Sequence, residues 1–302
     1  MRIATQTISD TMIQQIQTLS AQQSQYQLEL SSGDRITNPS DDPSAMNQVL
    51  GMESQMQDLH QISSNNALAT QITQQSYSAL NNLQSISNSA GELATEGSSG
   101  TTSPTDYAAY SQQLTQLIKQ ALDTANTQYN GTYIFGGTQT NTPPFTATYD
   151  AAGNITGVTY TGTAAGISME TGQGNTVSPY TDGATNQQMA GFINNLISLQ
   201  GAMSSASATA VQGTQTSLQT SEDSILTAVS GVGAIQSGLQ ADQTLNQSAF
   251  TSLQGLVSDD TSTDVATTTV QFTQAQDAYQ AALEAGAKIM QDPLLSLLSA
   301  VS

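Results

Sequence analysis

Residues 31–47 read SSGDRITNPSDDPSAMN and separate two long helical patterns. They hold Arg35, one of four cationic side chains in 302 residues, beside Asp34, Asp41 and Asp42. Gly33 suits the C-terminus of a first helix, and Pro39 interrupts regular structure. Asp42 followed by Pro43 has the form of an N-cap with proline in the first helical position, and both acids fit the positive end of the next helix dipole. Arg35 is expected to bridge to Asp41 or Asp42, or to carbonyls left free by the first helix. Together Arg35, Asp41, Asp42 and Pro43 predict a capped elbow that fixes the angle between a terminal helix and the segment that follows.

On the N-terminal side of this elbow, Met12, Ile16, Leu19, Gln23, Tyr26 and Leu30 step by alternating fours and threes, a heptad seam with one polar member. Val265, Thr269, Phe272, Gln276, Tyr279, Leu283, Gly286 and Met290 do the same at the far end. Neither stripe carries the interspersed Glu and Lys that would solubilise a free two-stranded coil. "AALEAGA" offers small residues for close approach, so the simplest partner for each terminus is the other. The assembly-forming residues expected from this spacing are Met12, Ile16, Leu19, Tyr26, Leu30, Val265, Phe272, Tyr279, Leu283 and Met290.

Farther inward, Leu59, Ile62, Ala69, Ile72, Leu80, Leu83, Ile86, Ala90 and Leu93 keep a helical spacing up to a break at EGSSGTTSP. A second helix is expected from Pro104 to a C-cap at Asn130-Gly131. The run Ile225, Val229, Val232, Gln236, Leu239, Gln243, Asn246, Phe250, Leu253, Val257 predicts a helix over about 215–258, roughly 65 Å long. Between about 132 and 183 the pattern alternates with period two. TATYDAAGNITGVTYTG reads as strands at Thr146–Tyr149 and Ile155–Tyr160 around a turn with Gly153, and a further strand is expected near Gly166–Glu170. The expected fold is mainly α: a long antiparallel helical bundle or coiled-coil rod formed by both chain ends, with a small β-rich domain inserted mid-sequence. The divisions are terminal helices at 1–40 and 262–302, a helical rod at 41–131 and 184–261, and the β insertion at 132–183.

Charged residues make up 9% of the chain against the roughly 25% usual for globular domains, and neutral Gln, Ser, Thr and Asn fill the gap. The net charge is −19, with no Lys or Arg between Lys119 and Lys288. Nucleic acid and anionic membrane surfaces are therefore excluded as partners, because both require cations to displace counterions. Cysteine is absent, which removes disulfides and thiolate chemistry. The start MRIATQTISDTM lacks the apolar run of a cleavable signal, and no segment approaches a membrane span. Those criteria describe a cytoplasmic protein equally with one exported by another route.

Catalytic, cofactor-binding and metal-ligating groupings are not expected. His60 is the only histidine and sits on a helical pattern without a nucleophile. IFGGTQT lacks the spacing of a phosphate loop, so its glycines read as turn residues. Asp41-Asp42 and Asp259-Asp260 lack the alternating spacing of a calcium loop. Asp150 and Asp182 lie in Gly-rich turn contexts, where aspartate is ordinarily structural.

LELSSGDRITNPSDDPSAMN (28–47) resembles the N-terminal signature of the bacterial flagellin superfamily, and DVATTTVQFTQAQDAYQAALEAGAKIMQDPLLSLL (264–298) resembles its closing helix. Family members often carry Glu-Ala where this chain has Val265-Ala266. SDDPSA (40–45) and YNGTYIFGGTQTNTPPF (129–145) are most similar to the superfamily's junction proteins between hook and filament. The resemblance covers roughly half the chain. It implies a structural role, terminal helices that order on assembly, and export without a cleavable signal peptide to an extracellular place in the flagellum. The implied partners are further copies in a ring, a preceding hook-associated protein, flagellin, an export chaperone and the flagellar type III export apparatus. A filament-forming flagellin and a secreted adhesin or phage-tail component are the alternatives; a polymer-acting enzyme using Asp150 and Asp182 is a third.

Overall fold

The computed structural model describes the backbone of residues 2–299 and the side-chain surroundings of residues 10–288. The apolar spacing becomes helices α1 (Arg2–Ser32), α2 (Pro43–Gly97), α3 (Pro104–Ala125), α4 (Gly183–Ser204), α5 (Ala208–Thr261) and α6 (Val265–Ser299). The Thr- and Gly-rich middle becomes β1 (Gln128–Tyr129), β2 (Thr132–Tyr133), β3 (Phe145–Tyr149), β4 (Ile155–Tyr160), β5 (Met169–Gly172) and β6 (Asn175–Val177). The strands pair as three separate antiparallel ribbons, β1-β2, β3-β4 and β5-β6. The fold is thus mainly α with a small β part.

The chain divides into two compact units, Met1–Gln57 with Thr251–Ser302, and Asp58–Phe250. Helices α2 and α5 contribute residues to both.

In the larger unit one continuous core joins the inward faces of α2, α3, α4 and α5 to the first β residues. Leu80, Leu83, Leu114, Ile118, Phe192, Ile193 and Leu196 are fully buried there with Phe135 and Phe145, and Ile155 and Val158 are buried beside them. The β3-β4 ribbon therefore shares its core with the helices. Antiparallel α2 and α5 also bond across their interface through amides, Asn66 Nδ2 to the Leu239 carbonyl at 3.0 Å and Gln236 Nε2 to Gln74 Oε1 at 2.7 Å.

The helix expected to reach Asn130-Gly131 ends earlier, at Ala125. Asn130 and Gly131 both have positive φ, 49° and 80°, and form the two-residue loop of the β1-β2 hairpin. Asn-Gly suits such a mirror-image turn as readily as a helix cap. Asn126 then exchanges two hydrogen bonds with the Phe145 backbone, at 2.9 and 3.0 Å, standing in for a strand neighbour. The β3-β4 turn is held by Asp150, whose carboxylate accepts from the Ala152 and Asn154 backbone N–H groups and the Asn154 amide. Gly153 there has φ 81°.

The smaller unit is built differently. Its α1 and α6 run antiparallel: a Cβ at Gly286 would meet Ile16 and Met12, while Thr263 N donates to the Gly33 carbonyl at 2.8 Å.

Candidate assembly interface

The site predicted from the sequence is the α1/α6 pair and the elbow beside it. On α1, Met12, Ile16, Leu19, Tyr26 and Leu30 are all half-buried, and Gln23 keeps its place in the same seam. Ile13 and Leu28 lie off the seam and are exposed, Leu28 at 64%.

On α6 the inward face is Thr268, Phe272, Ala275, Tyr279, Ala282 and Gly286, with Gln276 and Ala285 half-buried at its edge. Phe272 and Tyr279 therefore line the seam as the spacing placed them. Val265 and Leu283 do not: they are 58% and 44% exposed, and Val270 is 56% exposed. Small Thr268, Ala275 and Ala282 occupy the alternate heptad positions instead. A side chain with few atoms lets two backbones approach, so the single chain buries alanine and leaves the larger aliphatics outside. Met290 lies outside the described side chains.

At the elbow, Gly33 has φ 82° and its N–H closes on the Glu29 carbonyl at 2.9 Å, a left-handed C-terminal cap for α1. Asp42 caps α2, its Oδ1 accepting from Ser44 and Ala45 N–H at 3.1 Å, with Pro43 at the first helical position. Asp41 accepts from the backbone of Asn38 and Thr37, in that order of effect, and these bonds hold its carboxyl below the usual carboxylate range.

Arg35 lies 3.8 Å from Asp42 and donates to the Asp260 carbonyl at 3.1 Å. The carbonyl thus belongs to the end of α5 rather than to the first helix. Gly33 has already satisfied the Glu29 carbonyl of α1, whereas an Asp34–Ser262 bridge and the Arg35 N–H to Thr261 carbonyl bond bring the last turn of α5 alongside. A cation at a helix C-terminus also meets the negative end of its dipole. Asp264 begins α6 in the same place, accepting from Ala266 N–H and from both the N–H and hydroxyl of Thr267. The Thr267 hydroxyl is the first cause of its lowered pKa.

Residues 3–140 match the family model described as the bacterial flagellin N-terminal helical region. Over just under half its length the chain is similar to flagellar hook-associated protein 3. It is 33% identical to that protein from Escherichia coli strain K12 and 32% identical to the one from Salmonella typhimurium strain LT2, each over 146 residues. Those alignments cover 48% of this chain and 46% of each relative, so the match spans just under half the length of the curated relatives. Among solved structures, a putative flagellar hook-associated protein from Vibrio parahaemolyticus superposes with a TM-score of 0.65 at 16% identity, covering 74% of this chain and all of that one. Bacillus cereus FlgL superposes with a TM-score of 0.59 at 18% identity, covering 69% of this chain and 99% of that one. These likenesses establish the fold. The elbow and the whole of α1 from residue 3 lie inside the flagellin-type region; α6 lies beyond it.

The two acids considered for catalysis are both structural. Asp182 caps α4 through the Thr185 N–H at 2.8 Å, and hydrogen bonds from Thr185 lower its pKa. The Asn154 amide and backbone do the same for Asp150. A catalytic general acid needs the opposite shift. Among the described residues no group of three or more His, Asp or Glu is arranged to hold a metal, and no helix is long and apolar enough to cross a membrane.

Neutral amides, which apolar spacing does not reveal, substitute for charged side chains. Asn194 exchanges bonds with the Val158 backbone at 2.8 and 2.9 Å, anchoring β4 to α4. Buried Asn186 bonds the Phe135 carbonyl and Thr181, and buried Asn246 bonds the Thr171 carbonyl. Asn246 at a heptad core position was the available signal; Asn186 and Asn194 offered none beyond their places on an apolar helix.

Proposed function

We propose that this protein is a structural, non-catalytic component of the bacterial flagellum that forms the junction between a hook-associated ring and the flagellin filament. The observation that carries the reading is the incomplete burial of the α1/α6 pair. Val265, Val270, Leu283 and Leu28 stay exposed on a surface with few charges, and a helix pair with so little core gains order when neighbouring copies cover it. In this reading the terminal segments 1–40 and 262–302 form the axial core, 41–131 with 184–261 the helical rod, and 132–183 the outward β insertion. Met12, Ile16, Leu19, Tyr26, Leu30, Val265, Phe272, Tyr279, Leu283 and Met290 carry the copy-to-copy packing, while Arg35, Asp41, Asp42 and Pro43 set the elbow.

The partners are further copies of the chain, a preceding hook-associated protein, flagellin, an export chaperone and the flagellar type III export apparatus. The mature protein acts outside the cell. The names of the relatives and the flagellin-type region support this placement. Deleting the gene and examining the cells by electron microscopy tests it. Bare hooks with flagellin shed into the medium are expected; normal filaments would point instead to a minor flagellin.

A further inference from the structure

A cavity of about 380 Å³ in the larger unit lies between the segment 178–188 and one face of α5. That volume is within the range of small-molecule sites. Ala228, Val232 and Ile235 form its apolar floor, and Tyr180 stands at its wall. Burial raises the Tyr180 pKa, with no charged neighbour contributing. Tyr180 and Gln188 both line the cavity, and neither the Tyr180 hydroxyl nor the Gln188 amide is hydrogen-bonded to another described residue. The other polar tips are already engaged: Ser224 and Thr227 donate to the backbone of their own helix, and Asp182 caps α4.

Charge decides the ligand class. No Lys, Arg or His lines the cavity, and the only ionisable groups there are Asp182 and Tyr180, so nothing offsets the charge of an anion. A cation would find one exposed carboxylate already committed as a cap. What remains is an apolar floor, an aromatic wall, and neutral donors and acceptors at the rim. A pyranose has the complementary form, with a face of C–H groups and a rim of hydroxyls that both donate and accept. We propose that this cavity binds a neutral hexose unit, its C–H face against Tyr180 and the Val232 and Ile235 side chains, its hydroxyls on the Tyr180 hydroxyl and the Gln188 amide. The site is independent of the α1/α6 pair and of the junction role.

Methyl α-glucopyranoside titrated into the full-length protein tests this by calorimetry, with saturation-transfer NMR reading which sugar protons approach the protein. A dissociation constant on the order of 1 mM is expected for a ligand of about a dozen heavy atoms. Glucuronate should bind at least about tenfold more weakly, because its carboxylate has no cation to meet. Tyr180→Ala should weaken the glucoside at least about tenfold. Gly231→Leu provides the control that keeps the fold: Gly231 lines the cavity on an exposed helical position with open space around a Cβ, so leucine is tolerated, improves helix propensity and is expected to occupy the cavity. It should abolish binding with an unchanged circular dichroism spectrum. Absence of glucoside binding, or binding that survives both substitutions, overturns the proposal. So does a cavity found shielded only at concentrations where chains associate, which would assign it to a contact between copies.

Discussion

The two compact units contrast in how they are held. In Asp58–Phe250, α2 from Ile72 onward, α3, α4 and α5 up to Val232 turn their apolar faces into one core. In the smaller unit the described buried residues are Glu29, Ile36, Val49, Thr268 and Ala275, and the α1 seam is only half-covered. Burial of apolar area stabilises at about 25 cal/mol per Å², and the described residues of the second unit bury far fewer large apolar side chains than the first. One uncharged, amide-rich sequence style thus yields either a deep core or a half-covered helix pair, according to how many helices converge.

The sharpest way to break this contrast is to empty the larger core. Phe192→Ala should cost about 3–5 kcal/mol, and equilibrium urea unfolding should show it as a lower midpoint. Leu283→Ala, at an exposed position, should leave that midpoint within about 0.5 kcal/mol of the parent's. Equal effects would remove the distinction between the units.

Leu19→Asp comes next. It should preserve the helical circular dichroism of the larger unit while abolishing incorporation into flagella, read by complementation of the deletion strain. A globally unfolded monomer would count against the division of labour.

A smaller effect is expected at the elbow. Gly33→Ala places a Cβ at φ 82° and should destabilise by about 1 kcal/mol, detectable as lost helicity at low denaturant with the main transition unmoved.

Acid should act more evenly. The carboxyls of Asp41, Asp150, Asp182 and Asp264 all have folded pKa values below the unfolded value of 3.8. Their stabilisation is therefore present above that pH and is lost as pH falls through the lower folded values. Melting temperature should be flat near neutrality and decline below about pH 4. Asp150→Asn should flatten part of the decline, and a profile unchanged by it would deny the turn any share.

The smallest effect belongs to the Arg35–Asp42 pair, whose side chains are half and one-third exposed at 3.8 Å. A double-mutant cycle should give at most about 0.5 kcal/mol of coupling. A larger value would make the elbow a rigid joint held by charge.

Much of this architecture is a property of the sequence alone. Apolar residues at 3.6-residue spacing must be gathered to one side of a helix, so α2 and α5 were visible along most of their length. Gly33, Asp42 and Pro43 announce the elbow because each supplies what a helix end lacks: a left-handed turn, an acceptor for free N–H groups, and a residue without an N–H. TYDAAGNIT announces its ribbon for the same local reason.

What the tertiary structure alone decided is which side chains meet across distance. The inward face of α6 is lined by Thr268, Ala275 and Ala282 where the spacing offered Thr269 and Leu283, while Gln276 stays half-buried beside Ala275, because close backbone approach favours small residues over a more apolar stripe. Arg35 finds the end of α5 because that is where a carbonyl remains open. Asn130-Gly131 became a hairpin once Asn126 could pair with Phe145. Local chemistry is written in neighbouring residues; the satisfaction of a buried amide or an open carbonyl depends on what another segment brings, and the chain order does not contain that until it has folded.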